Sequence, residues 1–317
     1  MIAALKDLSD GNLANVGENL TIGGGSPGDR NEIREGSRVI SIRLHVAGML
    51  AAAMTVLTAG CATQGPSPAA VSAAFAGKSY VLLGEVHDNP AGQQQRLAAL
   101  TRAVEQGWRP AIAMEQFDRE RQADIDRARR ERPDDADYLI KQAGGGGWQW
   151  PLYRPVVALA LQYDLPLVAA NLSRADAGKI VRGGLDSLFP AGERQQLGLS
   201  GALPDDLVAA QTAVLDQGHC GNFPKAMLPG MLAAQAARDA LMAQTLRPYA
   251  QRGAVLIAGN GHVRRDIGVP RWLGAGVGQV VSVGYVENPP ADGEFDVAVV
   301  VPAVARKDPC LQAKPAG

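Results

Sequence analysis

The sequence predicts an α/β domain, a mainly parallel sheet flanked by helices, folded as one unit over residues 71–305. Six short apolar runs alternate with segments of helical length, the rhythm of strands joined by crossover helices. Of the 317 residues, 46% are hydrophobic and 20% charged, enough to build and solvate a full core. No internal repeat or long linker breaks the alternation.

Taken in order, residues 1–38 fit neither a signal nor a domain, being rich in glycine, asparagine and charge. We read them as a non-native extension, with translation starting near Val39. Residues 39–60 read as a lipoprotein signal. Arg38 and Arg43 precede an apolar run from Leu44 to Leu57, and Thr58, Ala59 and Gly60 then lead to Cys61. At about 14 residues the run is too short to cross a bilayer as a helix. The small residues before Cys61 resemble a bacterial lipobox, which implies cleavage there and lipidation of Cys61. A plain secretory signal with an incidental cysteine is the alternative. Residues 61–70 form a polar, proline-containing linker. No Asp directly follows Cys61, so the anchor leans toward the outer membrane, and the protein is expected in the cell envelope, facing the periplasm or the exterior.

The expected strands are Ser79–Leu83, Ala111–Met114, Leu165–Ala169, Ala254–Ala258, Val280–Val283 and Val297–Val301. Between them, 91–106, 119–131, 153–164, 173–183, 204–217 and 225–251 read as helices. An antiparallel addition to the sheet is allowed near the end. Residues 306–317 are a tail. Cys220 and Cys310 remain after cleavage, and in an oxidising compartment they most simply form one disulfide, a free thiol being the alternative. Gly144–Gly147 are followed by Trp148, Trp150 and Tyr153. That stretch reads either as a loop whose aromatics tuck into the core or as a mobile flap that lays flat rings on a flat ligand.

The formal net charge is −1, and beyond residue 60 there are 26 basic and 26 acidic residues with no basic block. A neutral body of this kind excludes an electrostatic nucleic-acid interface. The chemistry collects elsewhere, at the ends of the strands. The first ends in Gly84-Glu85-Val86-His87-Asp88, the second in Glu115, the third in Asn171 and the fourth in Gly259-Asn260-Gly261-His262. Parallel strands deliver their carboxyl ends to one edge, where ligands bind. Two of the three histidines beyond Cys61 share the frame Gly-x-x-His; the third, His219 beside Cys220, reads as structural. Acids held close together need a cation or a shared proton. Glu85, His87, Glu115 and His262 are therefore the candidate metal-ligating or catalytic set, suited to iron or a divalent metal.

Five blocks in this order, YVLLGEVHDNP, AIAMEQF, WPLYRPVVALALQYDLPLVAANLSR, AAQAARDALMA and VLIAGNGHVRRDIGVP, resemble the ChaN family of haem-binding lipoproteins. That family belongs with the Tiki metalloproteases and the erythromycin esterases, and the resemblance spans residues 75 to 285. It implies haem binding linked to iron uptake, a homodimer sharing a haem pocket, and an outer-membrane iron or haem receptor as partner. It places the site at Glu85, His87, Glu115 and His262, supported by Asn171, Asn260, Arg238 and Asp239. Tyr153 is the candidate axial ligand, because tyrosinate binds ferric haem. One departure stands out: Gly92-Gln93-Gln94-Gln95 occupy positions where relatives often carry further histidines.

Two functions are thus expected. The first is an envelope lipoprotein that holds haem at the carboxyl edge, ringed by Trp148, Trp150 and Tyr153. The alternative is a metal-dependent hydrolase, with His87 and His262 binding a metal or activating water and Glu85 or Glu115 as general base.

Overall fold

The computed structural model describes residues 65–310 except 275, 277, 278 and 309. The expected extension, the expected signal and Cys61, the expected lipidation site, lie outside the described residues, as does the end of the tail. Six strands form one sheet: β1 Tyr80–Glu85, β2 Ala111–Asp118, β3 Leu167–Asn171, β4 Ala254–Gly259, β5 Val280–Val286 and β6 Val297–Val300. Their spatial order is β3-β2-β4-β1-β5-β6, and every neighbouring pair is parallel. β1 to β4 are buried almost throughout, so each reads in sequence as a continuous apolar run rather than an alternating one.

Ten α-helices accompany the sheet among the described residues. They are α1 Pro68–Ala73, α2 Pro90–Glu105, α3 Gln122–Glu131, α4 Ala136–Ala143, α5 Trp150–Gln162, α6 Arg174–Gly183, α7 Ala191–Leu197, α8 Asp205–Gly218, α9 Leu228–Leu246 and α10 Asn260–Val263. Their starts are fixed locally. The Asn89 side chain accepts from the Gly92 amide at 2.9 Å with Pro90 at the first helical position, and Ser173 caps α6 by accepting from Asp176 at 3.2 Å.

The helices divide between the two faces. Leu100 and Val104 of α2 and Val156, Val157 and Ala160 of α5 pack against Val81, Leu83, Ile112, Met114, Val255 and Ile257. On the other face Met242, Ala243 and Leu246 of α9 cover Leu82, Ala113, Leu256 and Ala258. The chain leaves β1 over the first face, toward β2, and leaves β4 over the second, toward β5. Adjacent strands whose connections depart to opposite faces open a crevice at their carboxyl ends. β1 and β4 are that pair, and their register sets Glu85 opposite Gly259.

β6 corrects one expectation. It adds parallel to β5, with Val283 opposite Val297 and Val286 opposite Val300, although only residues 287–296 connect them. The connection crosses without an α-helix by laying Phe295 directly on Gly284, where an added Cβ would meet the ring at 2.8 Å. At the opposite border Gln122 covers the free edge of β3. Its side-chain amide accepts from Ala169 N at 2.8 Å and donates to Leu167 O at 3.2 Å, and Arg129 donates to Leu165 O at 2.5 Å. Edge backbone groups satisfied by side chains are closed to another strand.

Candidate functional site at the carboxyl edge of the sheet

Glu85 ends β1 with its carboxylate 1% exposed, and five donors converge on it. Oε1 accepts from His87 Nδ1 at 2.8 Å, Gln116 Nε2 at 3.1 Å and the Tyr153 hydroxyl at 2.6 Å. Oε2 accepts from Gln93 Nε2 at 3.0 Å and from the Arg96 guanidinium, which also donates to Gln93 Oε1. A buried carboxylate survives only with a countercharge and filled lone pairs, and Glu85 has both. Burial lowers Arg96 to about 10, still cationic at neutral pH. Because a carboxylate only accepts, the His87 proton sits on Nδ1 and Nε2 keeps its lone pair. Burial also lowers His87 to about 4 against the pull of Glu115, so its imidazole is neutral.

A second chain of charges approaches from the other face. His262, on α10, gives Nδ1 to Asp239 Oδ1 at 2.6 Å and sets Nε2 3.5 Å from Glu115 Oε1, with the ring 1% exposed. Burial works against its charged form, but Glu115 and Asp239 together outweigh that and raise it to about 10. Burial likewise opposes the Glu115 carboxylate, yet His262, His87 and the Gly259 amide hold it far below the usual range. Asp239 lies the other way, raised by burial despite its imidazolium partner.

The two chains meet at Gly259. Its N–H donates to Glu115 Oε2 at 2.7 Å, so a side chain takes over where β2 turns away from β4 beyond Met114. A Cβ on Gly259 would lie 3.0 Å from His87 Cε1, 3.1 Å from Nε2 and 3.6 Å from Glu115 Oε2. Its φ of −56° suits any residue, so the missing side chain matters for closeness and not for conformation.

Glu85, His87, Glu115 and His262 therefore gather at one edge, but as two couples and not as one ligand set. Among the described residues no group of three or more His, Cys, Asp or Glu side chains is disposed to hold a metal ion. The physical reason is commitment: both His262 nitrogens face carboxylates as an imidazolium without a lone pair, and Glu85 is filled by its donors. Tyr153 is also turned from its expected place. It is fully buried, its hydroxyl serves Glu85, and burial raises it well above the ordinary phenol value, so no phenolate faces outward.

Nor do the aromatics form a flap. Trp148 packs edge-on to His87 at 5.0 Å and to Tyr153 at 5.7 Å. Trp150 lies against Phe117 at 5.1 Å and donates to Gly145 O at 2.9 Å, tying the glycine run down. Asn171 donates to Asp118 at 3.0 Å, and Asn260 to Tyr285 O at 2.7 Å. Arg238 is buried within the fields of Glu115, Asp118 and Asp239. Cys220 and Cys310 are bonded, Cα to Cα 5.5 Å. Three side chains that bond Glu85 escaped the sequence reading: Gln93, Arg96 and Gln116. For the first two a signal existed, since 93, 96, 100, 103 and 104 are the buried face of α2, and an arginine on such a face must meet an acid.

The family model of haem-binding uptake proteins, Tiki superfamily, ChaN, matches residues 71–273. The chain belongs to the ChaN family. Among solved structures, the ChaN fold here is similar to that of ChaN from Campylobacter jejuni, described with cofacial haem binding. The TM-score is 0.58 at 21% identity, over 70% of this chain and 87% of that one. The type III effector HopBA1 matches at TM-score 0.43 and 11% identity, over 74% and 94% of the two chains. An erythromycin esterase, EreC, matches at 0.41 and 12%, over 74% and 79%. No curated protein matches this ChaN chain in sequence.

Proposed function

We propose that this ChaN-family chain binds haem at the carboxyl edge of its sheet, with His87 as the residue that meets the iron. One observation carries the choice: of the two imidazoles at the edge, only that of His87 is neutral, and its side chain is 20% exposed. An imidazole that gives its other N–H to a carboxylate is the usual form of an iron-ligating histidine, and Glu85 supplies that carboxylate at 2.8 Å. The donor set thus fits haem, whose iron would supply the coordinating centre. The chain's own part is to keep Nε2 deprotonated, to fix the ring through Glu85, and to present the Trp148 edge beside it.

Iron uptake at the envelope, attachment through a lipidated Cys61 in the outer membrane, a homodimer around shared haem and an uptake receptor complete the proposal. The lipobox-like approach to Cys61 and a disulfide suited to an oxidising compartment support the location. The test is titration with haemin: a saturable Soret band in the wild type, and at least tenfold weaker binding in His87→Ala. Absence of saturable binding ends the haem reading. Unchanged affinity in His87→Ala moves the ligand elsewhere.

A second reading follows from the free nitrogen of His87. A neutral imidazole oriented by a carboxylate suits ester hydrolysis, His87 Nε2 taking a proton from water while Glu85 holds Nδ1–H. It calls for hydrolysis across an ester panel that His87→Ala abolishes. An inert protein retires it.

A further inference from the structure

The segment after β6 does not trail into solvent. It runs back over the carboxyl edge and is fastened at three successive points. At the first, the Asn89 amide donates to Pro302 O at 2.8 Å and to Glu287 Oε1 at 2.6 Å. At the second, Arg306 binds two carboxylates. Nε and Nη2 reach the Asp88 oxygens at 2.7 and 2.6 Å, and Nη1 and Nη2 reach the Glu287 oxygens at 2.6 and 2.8 Å. Val304 N donates to Glu287 Oε1 at 3.1 Å and completes this knot. At the third, Cys310 is bonded to Cys220, just past the end of α8.

The first two points hold one particular loop. Residues 86–89 carry His87, and Asn89 is also the cap of α2, the helix that brings Gln93 and Arg96 to Glu85. A bidentate guanidinium–carboxylate pair gives directional hold, but Arg306 and Asp88 are about a third exposed, so solvent weakens each bond taken singly. The covalent catch at Cys310 adds to these ties by shortening the free segment and so lowering the entropy that opposes them. That catch is accessible: Cys310 is exposed and Cys220 partly so. Cys220 also sits at φ 60°, in the left-handed region that non-glycine residues rarely adopt.

We infer that residues 302–308 form a redox-releasable strap that clamps the His87 loop, with the Cys220–Cys310 disulfide as its catch. Release is a thiol–disulfide exchange. Two equivalents of a thiol, or one dithiol protein, give two electrons and two protons; the Cys220–Cys310 bond breaks, both sulfurs leave as thiols, and the reductant closes its own disulfide. With the end free, the Arg306 knot opens more often and the loop bearing His87 gains motion and access. The inference needs no ligand and stands apart from haem binding.

Hydrogen–deuterium exchange of the full chain, oxidised and after reduction, tests it, with Cys310→Ser as a reductant-free equivalent. Peptides covering 302–308 and 86–92 are expected to lose protection together, by about tenfold, while β2 and β4 keep theirs. Arg306→Gln should loosen 86–92 with the disulfide intact. Loss confined to 302–308 would overturn the inference, because the tail would then hold nothing. Loss across the whole sheet would overturn it too, making the disulfide a global fastener.

Discussion

Tyr153 and Arg96 both act on His87 through Glu85, and each makes a different prediction. If the phenol serves only to hold Glu85, Tyr153→Phe costs about tenfold in haem affinity and leaves the Soret maximum in place. A displaced maximum would return the phenolate to the iron. Arg96 is the sole cation on the Glu85 carboxylate among its described partners. Arg96→Met leaves a buried charge uncompensated and should cost about 3–5 kcal/mol in denaturant unfolding. Adding Glu85→Gln removes that charge, so the double variant should recover much of the loss. If the losses simply add, the two groups are not a pair.

At the scale of elements the sheet depends on how its borders are closed. Gln122→Ala frees the β3 backbone at Ala169 and Leu167 and removes two hydrogen bonds. A stability loss of about 1 kcal/mol and concentration-dependent association by light scattering are expected. A variant that stays monodisperse would show the edge guarded by something else. The elements also show where sequence reading succeeds. β1 to β4 were legible because strands buried on both faces leave unbroken apolar runs. Four short helices, α1, α4, α7 and α10, were not, since one or two turns establish no period. The direction of β6 was hidden because a ten-residue connection reads as a hairpin loop, and only Phe295 on Gly284 lets it cross. At the site, glycine-led strand ends announced Glu85, His87 and His262. The pairing of those groups was not readable, because it is set by α2, α5 and α9 on opposite faces.

For the molecule as a whole, the two imidazoles pull pH dependence in opposite senses. His262 is raised to about 10, so its contribution is complete below its unfolded value of about 6.5 and is lost as pH climbs through 10. His87 is lowered to about 4, so its contribution is complete above about 6.5 and is lost as pH falls toward 4. Stability should therefore peak near pH 6.5. Relative to wild type, His262→Gln should flatten the alkaline limb and His87→Gln the acid limb in unfolding followed across pH. An alkaline limb unaltered by His262→Gln would place the charge elsewhere.

The pairing of β1 with β4 brings Glu85 opposite Gly259, residues from distant parts of the chain. Neither half of the polypeptide owns the crevice. Arg96, on the helix that follows the first strand, lies close in sequence to Glu85, whereas His87 has no Gly259 to rest on until the fourth strand slots between the first and second. A site proposed at this crevice is therefore completed only when the fourth strand is in place, and a chain truncated before it would lack one wall.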